Sequence, residues 1–136
     1  MKIYYKIWVD GIVKLRSRPQ NAGLWKFFAI TFTSMAMALN LVFFLFILSD
    51  LRVTDGVFKV PVNLFPGARI DVFFSFFISY LLPFLLMNYF LIFHRDRYKK
   101  LINSYPYYGG KLYLRYFLGT LSGFLIYIII AVLISK

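Results

Sequence analysis

Three stretches of this chain carry no charge, and they limit its fold more than any other feature. They run from Phe27 to Leu48, from Val72 to Phe93 and from Tyr116 to Ser135, which is 22, 22 and 20 residues. The hydrocarbon core of a bilayer is about 30 Å thick and takes roughly 20 helical residues at about 1.5 Å each. Each stretch therefore matches one transmembrane helix. Helix is the default because every backbone N–H and C=O inside hydrocarbon has to be paired within the segment. A transmembrane β-barrel would show segments of about ten residues alternating polar and apolar, and these stretches do not alternate. Of the 136 residues, 61% are hydrophobic, 22% aromatic and only 15% charged, against about 25% charged in a typical soluble domain. That balance argues against a water-soluble globule and excludes intrinsic disorder.

The expected fold is an all-α integral membrane protein with three transmembrane helices and an interfacial amphipathic helix at the amino end. The boundaries predicted for this single membrane domain are an interfacial helix over 2–18 and a first span over 24–49. An outer loop over 50–69 follows, then a second span with a cytoplasmic extension over 70–104, a turn over 105–111 and a third span over 112–135. The basic leader followed by an apolar run, with Ala36-Met37-Ala38 inside it, has the outline of a signal peptide. The run continues through Leu48 without a polar cleavage region, so it reads as a retained span. Twelve lysines and arginines fall in the leader and second loop, and four in the first loop and tail. The positive-inside rule then puts the amino end in the cytoplasm and the carboxyl end outside, as in a bacterial inner membrane. The net charge of +11 follows from that asymmetry. It points to anionic lipid headgroups as partners, at about 1 kcal/mol per basic residue near the surface, rather than to nucleic acid.

On a helical wheel Tyr4, Trp8, Ile12 and Leu15 share one face of the leader, with Tyr5 and Val9 beside them. Lys6, Asp10, Lys14, Ser17 and Arg18 gather opposite. This pattern suits a helix lying in the membrane interface, although Gly11 weakens it by about 1 kcal/mol. In the first loop, Asp55-Gly56 between Val53-Thr54 and Val57-Phe58 signals a hairpin. In the second loop nothing breaks a helix between His94 and Asn103, so the second span should extend about two turns beyond the membrane. Tyrosines and cations crowd this region, as is usual at a membrane interface. They also make a candidate face for the membrane surface or a partner: Trp8, Lys14, Arg97, Lys99, Lys100, Tyr105, Tyr107 and Tyr108.

Reactive groups are few. The chain has no cysteine and one histidine, and its five acids are all aspartates. No catalytic residue, cofactor site or metal centre is expected. Asp50, Asp55 and Asp71 fall at the outer ends of the first two spans or between them, and could hold a hard cation only if they converged. His94-Arg95-Asp96 copies the catalytic tripeptide of protein kinases but lacks the accompanying Gly-rich loop and downstream Asn. Within the spans, small or polar residues form one stripe each. Asn40 marks the first, Ser75 and Ser79 the second, and Gly119 and Gly123 the third, where they make a GxxxG pattern. Such stripes let helices pack closely, either within the chain or against another subunit. Pro83 should bend the second span.

This inventory favours a small non-enzymatic membrane protein that acts by association, as an accessory subunit or scaffold of a larger membrane complex. Its partners would be other membrane subunits or copies of itself. The alternative is a homo-oligomeric pore or membrane-disrupting effector lined by the Asn40, Ser75 and Ser79 stripes. A third reading is a small dimeric transporter or membrane enzyme using the outer aspartates.

Overall fold

The leader does form a helix, α1 (Lys2–Arg16). It ends where Arg18, preceding Pro19, takes an extended conformation with φ −89° and ψ 119°, the region to which a following proline confines a residue. The structure is a computed structural model and describes residues 2–52, 60–62 and 69–134. One 3₁₀ turn over Pro19–Asn21 leads into α2 (Trp25–Asp50). The second apolar stretch comprises α3 (Arg69–Phe76) and α4 (Leu82–Asn88), joined by a π-helical turn over Phe77–Leu81 and followed by another over Tyr89–Phe93. The first π turn lies just before Pro83. A widened turn accommodates a residue that has no N–H to give, and here it directs Tyr80 and Leu81 onto Ala38 and Val42 of α2. Two further helices follow, α5 (Arg97–Ser104) and α6 (Lys111–Ile134).

Every described element is helical, and no strand occurs among the described residues. Three helical runs are long and apolar enough to cross a membrane: Trp25–Asp50, Ile70–Ser104 and Lys111–Ile130. Their surface is apolar, with Phe27, Phe73 and Leu125 each about 60% exposed (60%, 59% and 58%). So large an exposed apolar area is foreign to a soluble monomer.

The second run is not one straight helix, which corrects the expected continuous extension. At its end Arg95 (φ 53°, ψ 36°) and Asp96 (φ 55°, ψ 28°) are both left-handed, and α5 leaves in a new direction. Two adjacent non-glycine residues in this region cost roughly 1–2 kcal/mol each. No glycine or proline marks the site. The Arg97 guanidinium donates back across the break to the Phe90 carbonyl at 3.3 Å.

α2 is the central element. The second run packs on it through Ala38, Val42, Tyr80 and Leu81, and α6 packs chiefly on α1 and α2. A second cluster, Trp8, Ile12, Ala29, Ile92 and Tyr98, joins α1 and α5 to the ends of the first two spans. The expected hairpin over Val53–Phe58 lies outside the described residues.

Candidate functional site: a packed head on the bundle

α1 packs against α2, α5 and α6. Asp10, which the wheel places on the polar face, is fully buried. Its Oδ1 accepts the backbone N–H groups of Tyr108 (2.8 Å) and Gly110 (2.9 Å). Its Oδ2 accepts those of Leu112 (2.8 Å) and Tyr113 (3.1 Å). The first N–H groups of a helix have no partner within it, and the positive end of the helix dipole favours a carboxylate there. Asp10 thus caps α6 from about 100 residues away in sequence. It corrects the expected solvated position.

The glycines around this cap are explained by space and backbone. Gly109 (φ +72°) and Gly110 (φ +79°) take left-handed conformations that turn the chain into α6. At Gly11 a Cβ would stand 2.5 Å from the Tyr113 ring. Gly11, whose cost to helix propensity was evident in the sequence, lets α1 and α6 touch.

Nearly two turns earlier on α1 the Tyr4 hydroxyl donates to Asn88 Oδ1 at 2.6 Å, and Asn88 Nδ2 donates to Ser34 Oγ at 2.8 Å. Asn88 and Ser34 are both fully buried, so α1, α2 and α4 are tied together by one polar chain. Burial pushes the Tyr4 phenol up to about 12. Aromatic rings fill the rest of the head. Trp8 meets Phe93 edge-on at 5.6 Å, Trp25 meets Tyr98 at 5.3 Å, and Tyr5 stacks on Tyr105 at 6.0 Å. The Lys26 ammonium lies over Tyr98 at 5.2 Å, and the Arg16 guanidinium over Trp25 at 5.8 Å, at distances typical of cation–π contacts.

The residues expected on the surface or partner face divide. Arg97, Lys99, Lys100, Tyr107 and Tyr108 are exposed. Lys99 pairs with Asp96 at 2.8 Å, and Tyr108 lies under the Lys6 ammonium at 5.9 Å. Tyr105 and Lys14 are half-buried, the Lys14 stem passing over Gly110. Trp8 belongs to the core and is only 1% exposed.

The polar residues of the first two stripes bond within the chain. Asn40 Nδ2 donates to the hydroxyls of Tyr116 (3.2 Å) and Thr120 (3.1 Å) on α6. Ser75 and Ser79 accept the backbone N–H groups of Val62 (3.1 Å) and Val60 (2.7 Å), so they hold the connection between the first two spans. Gly119 has open space where a Cβ would be, and Gly123 comes only within 3.9 Å of Phe43. On α6, Tyr116, Thr120 and Tyr127 meet α2 through hydrogen bonds and a ring contact, with Gly123 on the same face.

Of the outer aspartates, Asp50 accepts the Tyr127 hydroxyl at 2.8 Å, Asp71 is buried in the first turn of α3, and Asp55 lies outside the described residues. No group of three metal-ligating side chains forms among the described residues. No protein-family model, curated protein or solved structure matches the chain.

Sequence reasoning missed the structural roles of Asn88, Ser34 and Asp10. Asn88 carried the same signal as Asn40, an amide inside an uncharged run. Asp10 carried none, because its partners are backbone groups of a distant turn.

Proposed function

We propose that this chain is inserted in a bacterial cytoplasmic membrane with its amino end and head inside and its carboxyl end outside. There it acts by association, as an accessory subunit or scaffold of a larger membrane complex. The observation that carries this reading is the head. Four backbone hydrogen bonds to Asp10, the Tyr4–Asn88–Ser34 chain and a cluster of rings fix α1, α5 and the start of α6 against one another. Around that packed head Arg97, Lys100, Tyr107 and Tyr108 are exposed, a basic and aromatic set of side chains carried on a fixed framework. Preorganised faces bind without a large ordering cost, and tyrosine and arginine are favoured anchors in interfaces. The pore alternative loses support, because Asn40, Ser75 and Ser79 are bonded within the chain.

The test is capture of the gently extracted protein at natural expression levels, followed by native mass spectrometry. The wild-type mass should include foreign subunits in fixed ratio. A variant carrying Lys100→Ser and Tyr107→Ser should lose them while keeping its melting temperature. A bare monomer from both would refute the association reading, and a closed ring of this chain alone would revive the pore.

A further inference from the structure

A groove of about 410 Å³ runs between the start of α2 and the end of the second apolar run. Lys26, Phe27 and Ile30 line one side, and Tyr89, Phe93, Arg95 and Asp96 the other. The two sides reach the same level of the bundle. Lys26 immediately precedes the first uncharged stretch, and Arg95 follows the second by two residues. Both cations therefore stand at the edge of the apolar zone, where a bilayer carries its phosphates. Phe27 and Ile30 descend from Lys26 into the first span, and Phe93 and Tyr89 from Arg95 into the second. The Lys26 ammonium is placed by the rings of Tyr98 at 5.2 Å and Trp25 at 5.7 Å. Arg95 makes no hydrogen bond or ion pair among the described residues. Its left-handed backbone, with φ 53°, belongs to a kind of strain that gathers at ligand sites.

Charge sets the ligand. Lys26 and Arg95 bring two positive charges to the lining and Asp96 one negative. Asp96 is already engaged, by Lys99 at 2.8 Å and by Lys26 at 4.0 Å. It is therefore not left over for the ammonium of a zwitterionic lipid, whereas Arg95 is left over for an anion. A guanidinium matches phosphate oxygens two at a time, and a lysine adds a point charge. The apolar lining calls for a greasy continuation of that anion. Sites for small ligands run from about 300 to 1,000 Å³, so the groove has room for a phosphoglycerol unit and the top of one chain. Phe27 and Tyr89 are 60% and 48% exposed, which lets the chain leave sideways into the bilayer. Basic pockets between spans on the cytoplasmic side are a recurring form of headgroup site.

We propose that this groove binds one anionic glycerophospholipid. Arg95 and Lys26 hold its phosphodiester, and the first carbons of an acyl chain lie along Phe27, Ile30, Tyr89 and Phe93. This is a discrete site with a fixed stoichiometry, unlike the diffuse attraction of a basic face to an anionic surface. It rests on membrane insertion but on no protein partner.

Native mass spectrometry of the full chain in detergent counts bound lipids directly. Titration with phosphatidylglycerol should give one adduct per chain, and that adduct should saturate. Phosphatidylcholine with the same acyl chains should be retained several-fold less. Arg95→Asn removes the cation with a residue that tolerates left-handed backbone, and should cut phosphatidylglycerol retention several-fold. Adding Lys26→Gln should bring it down to the phosphatidylcholine level. Arg18→Gln with Lys111→Gln removes two exposed cations that do not border the groove, and should leave the adduct in place. Equal retention of the two lipids, adducts that accumulate without saturating, or equal losses in Arg95→Asn and the control pair would overturn the proposal. So would displacement of the adduct by glycerol phosphate at the same concentration, which would make the ligand a free phosphate. Flotation with vesicles separates the two readings. Protein that floats yet shows no preference for phosphatidylglycerol sinks the site alone, and protein that does not float sinks membrane insertion and the site with it.

Discussion

Asp10 shows how much a single buried carboxylate can decide. Its two oxygens satisfy four backbone N–H groups, and each buried donor left without an acceptor costs about 1–3 kcal/mol. Asp10→Asn keeps one oxygen and turns an amide NH₂ toward the other two donors. The expected loss is on the order of 2–4 kcal/mol, read as a fall in melting temperature in micelles. An unchanged melt would mean that solvent reaches those donors. The neighbouring glycine sets two effects against each other. Gly11→Ala gains about 1 kcal/mol of helix propensity, but the new methyl would stand 2.5 Å from the Tyr113 ring. Overpacking of that kind costs about 1–3 kcal/mol, so the variant should melt lower despite its better helix former. A higher melting temperature would show that Tyr113 can swing aside.

Among the elements, α1 and the break before α5 depart most from what the chain suggests. Both have local causes that a one-dimensional pattern does not carry. The three apolar runs and the stripe of small and polar residues on α2 were legible because helical period is encoded within a few residues. Asn40 was legible as a packing residue for the same reason. The left-handed pair Arg95 and Asp96 was not, since both residue types are ordinary in helices and tertiary packing overrode their preference. This gives an unusual expectation for a glycine placed in a helical run. Arg95→Gly should leave stability unchanged or raise it, because it relieves a φ of 53°. Lys100→Gly at an exposed position within α5 should cost about 1 kcal/mol. Equal losses at the two positions would mean that the break is not left-handed in solution. The link between α1 and the spans can be weighed by a double-mutant cycle. Asn88→Leu strands the Tyr4 and Ser34 hydroxyls, and Tyr4→Phe removes one of them. The pair should therefore be less than additive by roughly 0.5–3 kcal/mol, and strict additivity would deny the 2.6 Å bond any energetic role.

For the whole molecule, what counts is which end of the bundle faces which compartment. The two ends differ in kind. At one end α1, α5 and the 105–110 turn close over the spans with long-range bonds and many cations. At the other, the described contacts include the Tyr127–Asp50 bond and the serine bonds to residues 60 and 62. Twelve of the sixteen lysines and arginines flank the head side. Moving that many cations across a bilayer is opposed both by their desolvation and by a membrane potential worth about 2.3 kcal/mol per charge per 100 mV. The head should therefore stay in the cytoplasm. The sequence offers a clean test, because it has no cysteine and one can be placed without background. Ser104→Cys lies at the end of α5 and Arg52→Cys just beyond α2, both exposed. In intact cells a membrane-impermeant maleimide should label Arg52→Cys and spare Ser104→Cys, and permeabilised cells should label both. The reverse pattern would invert the molecule and place the tyrosine–lysine face outside. Labelling of both in intact cells would mean that neither end is shielded, and the three apolar helices would then need some other explanation than a membrane.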